Sequence, residues 1–391
     1  MRRARRPAGA QRLVHLTTTD MSLDWLLGPQ LRAFAVAGYE VIGMSAPGPH
    51  VDALLQAGVQ HESLPALTRS SRPTQDVRAF IQLVKALRRL RPDILHTHNP
   101  KPGVLGRIAG RLTRVPLVVN TQHGLYAQPQ DRWQRRLPVY AAERLAAAFS
   151  DVELVQNEED VHTLVHRLKV PQRRVRLLGN GIDLLRFGPG AVTVADRRSL
   201  RAEWGILDHE VLLGTVGRLV AEKGLVELVD AVAALRDRCP HARLVVVGPT
   251  DEGKADSLPP SCFERAREVG VVFAGRRTDM SRCYAAMDVF VTASWREGFP
   301  RAAMEAAAMG LPTVATDIRG NRQVVVPGVT GLMTKVRSHT DLADACETLV
   351  EDAQLRSRLG AAAEERARNE FGDDRVIERT LDAYRTLRSR N

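Results

Sequence analysis

The sequence predicts an α/β protein of two doubly wound parallel-sheet domains facing a central cleft. Three observations carry that expectation. Short apolar runs alternate with helical patterns in two successive series, the order that builds parallel sheets. A break, Gly179–Asn180–Gly181–Ile182–Asp183, separates the series and reads as a hinge. The chemically suggestive segments fall just after predicted strands, where the loops of such sheets converge and ligands bind.

In the first series, Leu13 to Leu16 is an apolar run, followed by a polar Thr17–Thr18–Thr19–Asp20 turn. A helical pattern from Leu23 to Ala37, then Gly38 and a strand over Val41 to Ser45, complete a βαβ unit. The helix Gln75 to Leu90 leads into Ile94–Thr97, and Gly103–Leu112 into Leu117–Thr121. A helical stretch from about Asp131 to Phe149 leads into Val152–Gln156, and Val175–Leu178 closes the series. The second series runs through Val211–Val216, a helix from about Glu222 to Arg238, Leu244–Val247, a segment ending at Phe273, Val289–Val291 and Pro312–Ala315.

Composition narrows the class. The chain has 391 residues, enough for two ordinary domains, and 44% of them are hydrophobic. No stretch approaches the roughly 18 to 20 consecutive apolar residues that cross a bilayer. MRRARRPAGAQR has the basic character of a signal peptide, but LVHLTTTDMSLDWLL is interrupted by Thr and Asp, so export is not expected. Cys239, Cys262, Cys283 and Cys346 form no C-x-x-C pair and have no His spacing, and read as reduced thiols of a cytoplasmic protein. A formal charge of +11 predicts anionic partners. Aromatics are 5% of residues, and no zinc finger, aromatic RNA-binding run or basic heptad segment occurs, so nucleic acid is not expected. An anionic inner membrane surface accounts for the charge, with Arg132–Trp133–Arg135–Arg136 as its candidate contact; the bland reading of that cluster is a solvated helix face.

The motif around which the chain is organised is SWREGFPRAAMEAAAMG and the residues after it. A helix beginning at about Phe299, with Pro300 at its first position, would present unpartnered N–H groups and the positive end of its dipole to an anion. Glu297 precedes this helix and Glu305 follows eight positions later, about two turns in, so both carboxylates can border one pocket. Carboxylates accept and do not donate, so beside an anion they suit the hydroxyls of a ribose or hexose. Either Glu alone reads as an ordinary solvated residue; the pair, with Gly298 and the following LPTVATD strand, does not. Gly217–Arg218 and Lys223–Gly224 also follow a strand and precede a helix, placing two cations where a pyrophosphate would be held, unless they are merely exposed loop charges. Neither a P-loop nor a dinucleotide-binding glycine fingerprint is present. His123–Gly124 follows LVVNT, where an imidazole could meet sugar hydroxyls. His96 and His98 lie two apart on one strand face, and with His123 they offer a zinc triad as a minority reading.

E-G-F-P-R-A-A-M-E resembles the E-x7-E signature of retaining glycosyltransferases of family 4, which have the GT-B architecture of two Rossmann-like domains. TVGRLVAEKG resembles that family's V-G-R-L-x-x-x-K-G segment, and TQHGLYA its T-x-H-G segment. The resemblance spans almost the whole chain. It implies that Glu305 binds the donor ribose, that Glu297 and His123 stand by the transferred sugar, and that Arg218, Lys223, Gly298, Phe299 and Arg301 hold the diphosphate. Gly275, Arg276 and Arg277 would frame the base through main-chain contacts, and Thr19, Asp20, His98, Asn99 and Lys101 would meet the acceptor. Many relatives carry a Gly-Gly pair in the first loop; here it is TTTDMSLDW. The implied domains are 1–187 for the acceptor, 188–372 for the nucleotide sugar, and a terminal helix, 373–391, returning to the first.

No D-x-D triplet occurs, and Arg218, Lys223 and a helix N-terminus supply the charge that a metal would, so transfer is expected to need no metal and no cofactor. DVELVQNEED and RVRLLGNGID resemble the subgroup that builds capsular, O-antigen and other lipid-linked glycans. The implied donor is a nucleotide diphosphate sugar, commonly UDP-linked, and the implied acceptor a glycan or one ending in polyprenyl diphosphate. Two further classes stay open at this point: a nucleotide-sugar 2-epimerase or phosphorylase on the same frame, and a binding protein without chemistry.

Overall fold

The computed structural model describes residues 10–70, 72–98, 100–250 and 257–388. It divides into two units, the first containing the chain up to Gly179 together with the segment from Asp373, the second running from Asn180 to Gly372.

The first unit is built on a seven-stranded parallel sheet. Its strands are β1 (Gln11–Thr19), β2 (Tyr39–Ala46), β3 (Gln60–Ser63), β4 (Ile94–His98), β5 (Leu117–Gln122), β6 (Val152–Val155) and β7 (Val175–Leu177). Their spatial order is β3-β2-β1-β4-β5-β6-β7, so the order reverses direction between β1 and β4. Period-two alternation splits β1 between two cores. Leu13 packs with Phe34 and Tyr384, under the helices Gly28–Val36 and Asp373–Arg388, whereas Val14 and Leu16 pack with Leu83 and Leu87 of the helix Pro73–Leu90.

Polar residues enter this interior in a way the sequence pattern concealed. Thr17–Thr19 of the expected turn are instead the end of β1, which stays extended through Thr19, with Thr17 fully buried, and Asp20 is already helical. The Thr17 hydroxyl donates to the Thr19 carbonyl at 2.8 Å, which meets its polar requirement inside the strand. Arg107, also fully buried, donates to Glu143 at 2.6 Å, Glu153 at 2.8 Å and the Gly103 carbonyl at 2.7 Å. Its two carboxylates leave one negative charge in excess, and Asn120 and Gln122 donate to them at 2.7 Å each. The cluster ties the helices Pro100–Leu112 and Trp133–Ala147 to β5 and β6.

The second unit carries a six-stranded parallel sheet of β8 (Val211–Val216), β9 (Ala242–Val247), β10 (Val272–Gly275), β11 (Val289–Thr292), β12 (Thr313–Thr316) and β13 (Gly331–Thr334). The order β10-β9-β8-β11-β12-β13 reverses between β8 and β11. Two departures from expectation lie beside this reversal. The single helix expected over Glu222–Arg238 is broken at Gly224 into a short 3-10 turn, Ala221–Lys223, and an α-helix, Leu225–Leu235. Gly224 has φ +69°, and a Cβ on it would lie 2.0 Å from the Ala293 carbonyl oxygen, so the break is enforced by the approach of the loop after β11. The helix expected from Phe299 begins at Arg301 and ends at Ala308; Pro300 is its cap, extended at ψ 107°, and not its first helical residue.

β3 and β13 and the helices His339–Glu351 and Ala353–Glu370 were not expected from the pattern. The four cysteines are buried and unpaired, and burial pushes the Cys346 thiol up to about 12. Among the described residues no helix is long and apolar enough to cross a membrane.

Candidate active site

At the reversal of the second sheet, the loops after β8 and β11 enclose a cavity of ≈ 340 Å³. Arg218, Lys223, Glu297, Phe299 and Arg301, five of the residues singled out in the sequence, line it together. Ala302 and Ala303 line it as well, and the helix Arg301–Ala308 has no side-chain cap, so its amide-rich end borders the cavity. Uncapped N–H groups and the helix dipole favour an anion at this end, and Arg218 and Lys223 add cationic charge opposite it.

Glu297 is tied into this frame. Its Oε1 accepts from Lys223 Nζ at 2.5 Å and from Ser294 Oγ at 2.9 Å. The two loops are held in register by Trp295, whose backbone N–H donates to the Glu222 carbonyl at 2.9 Å and whose indole donates to Glu227 at 3.0 Å. Behind them Thr316 donates to the Ser294 carbonyl at 2.6 Å, and Asn321 to the Thr316 carbonyl at 2.8 Å. A Cβ on Gly320 would lie 2.6 Å from the Glu297 Cβ, so only glycine there allows the Glu297 backbone its position. Glu305 does not line the cavity but stands one turn into its helix, with Oε2 accepting from Tyr284 at 2.8 Å. Burial, then the Glu305 charge, push the Tyr284 phenol well above its usual range, so it stays a donor and fixes the carboxylate.

Residues 30–186 match the family described as "Glycosyltransferase Family 4", and residues 196–366 that described as "Glycosyl transferases group 1". A D-inositol 3-phosphate glycosyltransferase of Corynebacterium glutamicum (strain R) is 32% identical over 287 residues, covering 71% of this chain and 68% of the relative. The chain belongs to family 4 of the glycosyltransferases. This glycosyltransferase is also 29% identical over 310 residues to the UDP-Gal:alpha-D-GlcNAc-diphosphoundecaprenol alpha-1,3-galactosyltransferase of Escherichia coli, covering 79% of each chain. Among solved structures, Anabaena Alr3699/HepE in complex with UDP and glucose matches with a TM-score of 0.81 at 21% identity, covering 96% of this chain and 99% of that one, a likeness of fold. The neighbouring structures are GT-B glycosyltransferases, the architecture expected from the sequence.

The glycosyltransferase treats the remaining expected site residues differently. Gly275 ends β10 at the sheet edge, exposed with Arg276, and neither lines the cavity. Arg277 is engaged by Asp279 at 2.7 and 2.9 Å and by Glu203 at 2.7 Å; these bonds raise its pKa further and take up its guanidinium, leaving only main-chain groups for a base.

The expected acceptor contacts need correcting. His98 is 1% exposed, with both ring nitrogens bonded to other histidines, so it cannot meet an acceptor directly. Asp20 is buried and accepts from the His50 backbone N–H at 2.7 Å, closing the turn after β2. Lys101 is bound to Asp76 at 2.6 Å and the Ser70 carbonyl at 2.5 Å, so its ammonium has structural partners where a phosphate was expected. Thr19 is half-buried and bonded to Ser22 at 3.1 Å. Asn99 lies outside the described residues.

His15, His96 and His98 offer nitrogens within 4.8 Å of one another. The zinc triad expected from the sequence, His96, His98 and His123, is not this set: His15 stands in place of His123. His15 and His98 lie nearly coplanar, edge to edge, with the His98 Nε2 directed at the His15 Nδ1 at 2.9 Å, so these nitrogens face each other as hydrogen-bond partners. Each ring nitrogen already faces a hydrogen-bonding partner.

Ser294, Tyr284, Trp295, Thr316, Gly320 and Asn321 were missed in the sequence. Five of them, Ser294, Trp295, Thr316, Gly320 and Asn321, fall within the organising stretch, where only Ser294 and Trp295 are close to Glu297 in sequence; nothing local marked Tyr284.

Proposed function

We propose that this glycosyltransferase moves a hexose or N-acetylhexosamine-type sugar from a UDP-linked donor to a hydroxyl of a lipid-linked or polysaccharide acceptor, with retained configuration and without a metal. The observation that carries the reading is the single cavity bordered by Arg218, Lys223 and the uncapped start of the helix Arg301–Ala308. Fixed positive charge of this kind stabilises a departing diphosphate in the transition state. Glu305 would take the ribose hydroxyls, Glu297 the transferred sugar, and His123 a hydroxyl of that sugar.

In the proposed step the C1–O bond to the diphosphate breaks as C1 gains oxocarbenium character. A new C1–O bond forms to the acceptor oxygen on the same face, and the leaving phosphate oxygen takes the acceptor proton. No protein nucleophile is required. The Escherichia coli relative is named for a UDP-Gal donor and a diphosphoundecaprenol acceptor, and another relative, from Staphylococcus aureus, for capsular polysaccharide biosynthesis; both favour a lipid-linked or capsular product here. A lipid-linked acceptor suits a peripheral contact with an anionic inner membrane face, through the exposed Trp133 beside Arg132, Arg135 and Arg136. The proposed location is therefore the cytoplasm, at that face.

The test is a thermal-shift panel followed by turnover. UDP is expected to raise Tm more than GDP or ADP at equal concentration. UDP release from the preferred UDP-sugar should require an acceptor, which separates transfer from epimerisation, and should persist in EDTA. Loss of turnover in EDTA with recovery on adding a divalent metal would overturn the metal-free reading.

A further inference from the structure

Four histidines of the first unit form one hydrogen-bonded file, and its geometry follows from strand register. β1 pairs with β4 so that His15 stands opposite His96, and His98 is two residues on, on the same face. His123 follows the end of β5, the strand on the other side of β4. The contacts run His123 Nε2 to His98 Nδ1 at 3.0 Å, then His98 Nε2 to His15 Nδ1 at 2.9 Å. They continue from His15 Nε2 to the Tyr384 hydroxyl at 3.5 Å, from that hydroxyl to His96 Nδ1 at 2.5 Å, and from His96 Nε2 to Thr121 Oγ1 at 2.7 Å.

A neutral imidazole has one N–H and one lone pair, so each ring passes on a direction it receives. The rings are neutral at pH 7: burial holds His15 at about 3 and His123 at about 4, and burial with neighbouring histidines holds His96 and His98 well below their usual value. Only two polarities are therefore consistent along the file, and Tyr384 selects between them. Its phenol carries one proton and is a stronger acid than a neutral imidazole N–H. The 2.5 Å contact to His96 has the length of an O–H donation, shorter than an N–H donation, whereas His15 is a full ångström farther away. With the phenol proton committed to His96, its oxygen presents only lone pairs to His15, and His15 Nε2 must carry hydrogen. The same logic then gives Nε2–H at His98 and at His123.

We infer that this file is a tautomer relay in which Tyr384, acting through His15 and His98, fixes His123 as its Nε2–H form and presents the His123 Nδ1 lone pair as a hydrogen-bond acceptor. Tyr384, His15 and His98 are positioning residues. The ligand group that fits His123 is then a hydroxyl that donates, and a sugar lacking that hydroxyl is disfavoured. The last step, from His123 to a sugar hydroxyl, rests on the proposed function; the tautomers themselves are properties of the free protein.

Two-bond proton–nitrogen NMR of the full-length, 15N-histidine-labelled protein reads each tautomer without any ligand. The expected result at pH 7 is Nε2–H at His15, His96, His98 and His123. Tyr384→Phe, which keeps the ring and removes the hydroxyl, should leave His98 and His123 as mixtures of both tautomers. Transfer should fall by roughly five- to tenfold in kcat/KM, the scale of one misdirected hydrogen bond, with UDP affinity unchanged. A residue of merely structural importance would not move the tautomers. Nδ1–H at His98 or His123 in the native protein overturns the relay, as does a pure Nε2–H His123 in Tyr384→Phe; should that variant not fold, the native spectrum alone decides. A His123→Ala enzyme with full transfer would overturn the sugar contact and leave the relay standing.

Discussion

Lys223→Ala is expected to lower kcat/KM for sugar transfer by about 10²- to 10³-fold, the usual cost of removing one preorganised donor from a site where negative charge develops. Stability should change little. The Lys223–Glu297 pair joins side chains that are 29% and 17% exposed, so water can replace the ammonium, and such pairs contribute at most about 1 kcal/mol. Glu297 keeps Ser294 as a donor in the variant. Steady-state kinetics beside a thermal melt checks both halves of the expectation. Lys223→Arg should recover part of the loss, because it restores charge without the compact ammonium geometry that reaches Glu297 Oε1. A Lys223→Ala enzyme within a factor of about three of the native rate would remove Lys223 from the proposed diphosphate contacts.

The second large effect is on folding. Arg107→Leu should destabilise the first unit by about 3–5 kcal/mol, because it leaves Glu143 and Glu153 buried without their cation. Replacing the arginine and both glutamates together by apolar residues of similar volume should recover much of that loss, since no uncompensated charge remains. Urea unfolding of the native protein, the single variant and the triple variant distinguishes the cases. With two units in the chain the melt need not be two-state, so the first unit's transition should be followed by its own probe. Equal midpoints for the native protein and Arg107→Leu would refute the argument.

The sequence revealed the sheet strands wherever burial was apolar on both faces. VLL within β8, LVVV within β9 and VFV within β11 are apolar runs, and the expected and observed ranges nearly coincide. β3 was hidden because QHES at the sheet edge contains no apolar residue, and β1 was cut short because its last three residues are threonines whose burial depends on partners found only in the fold. The cavity was legible because its charged residues come in two short segments, Gly217–Lys223 and Glu297–Arg301, each attached to a strand end. The acceptor-side expectations failed for the opposite reason. His98 is satisfied by His15, 83 positions away, Asp20 by His50, 30 away, and Lys101 by Asp76, 25 away. No local pattern distinguishes a polar group awaiting a ligand from one that already has a distant partner. The Tyr384–His96 contact, across 288 positions, is the extreme case.

The helix Asp373–Arg388 brings Val376, Ala383 and Tyr384 into the same apolar cluster as Leu13, Phe34 and Ile94. That arrangement reverses the order of completion during synthesis. The second unit, continuous from Asn180 to Gly372, has all of its parts as soon as its last residue leaves the ribosome. The first unit, though translated earlier, must wait with one side of its core uncovered until nearly two hundred later residues have emerged and its last helix arrives. Nascent chains halted before that helix would therefore leave Leu13 and Ile94 uncovered and open to chaperones while the second unit is already whole.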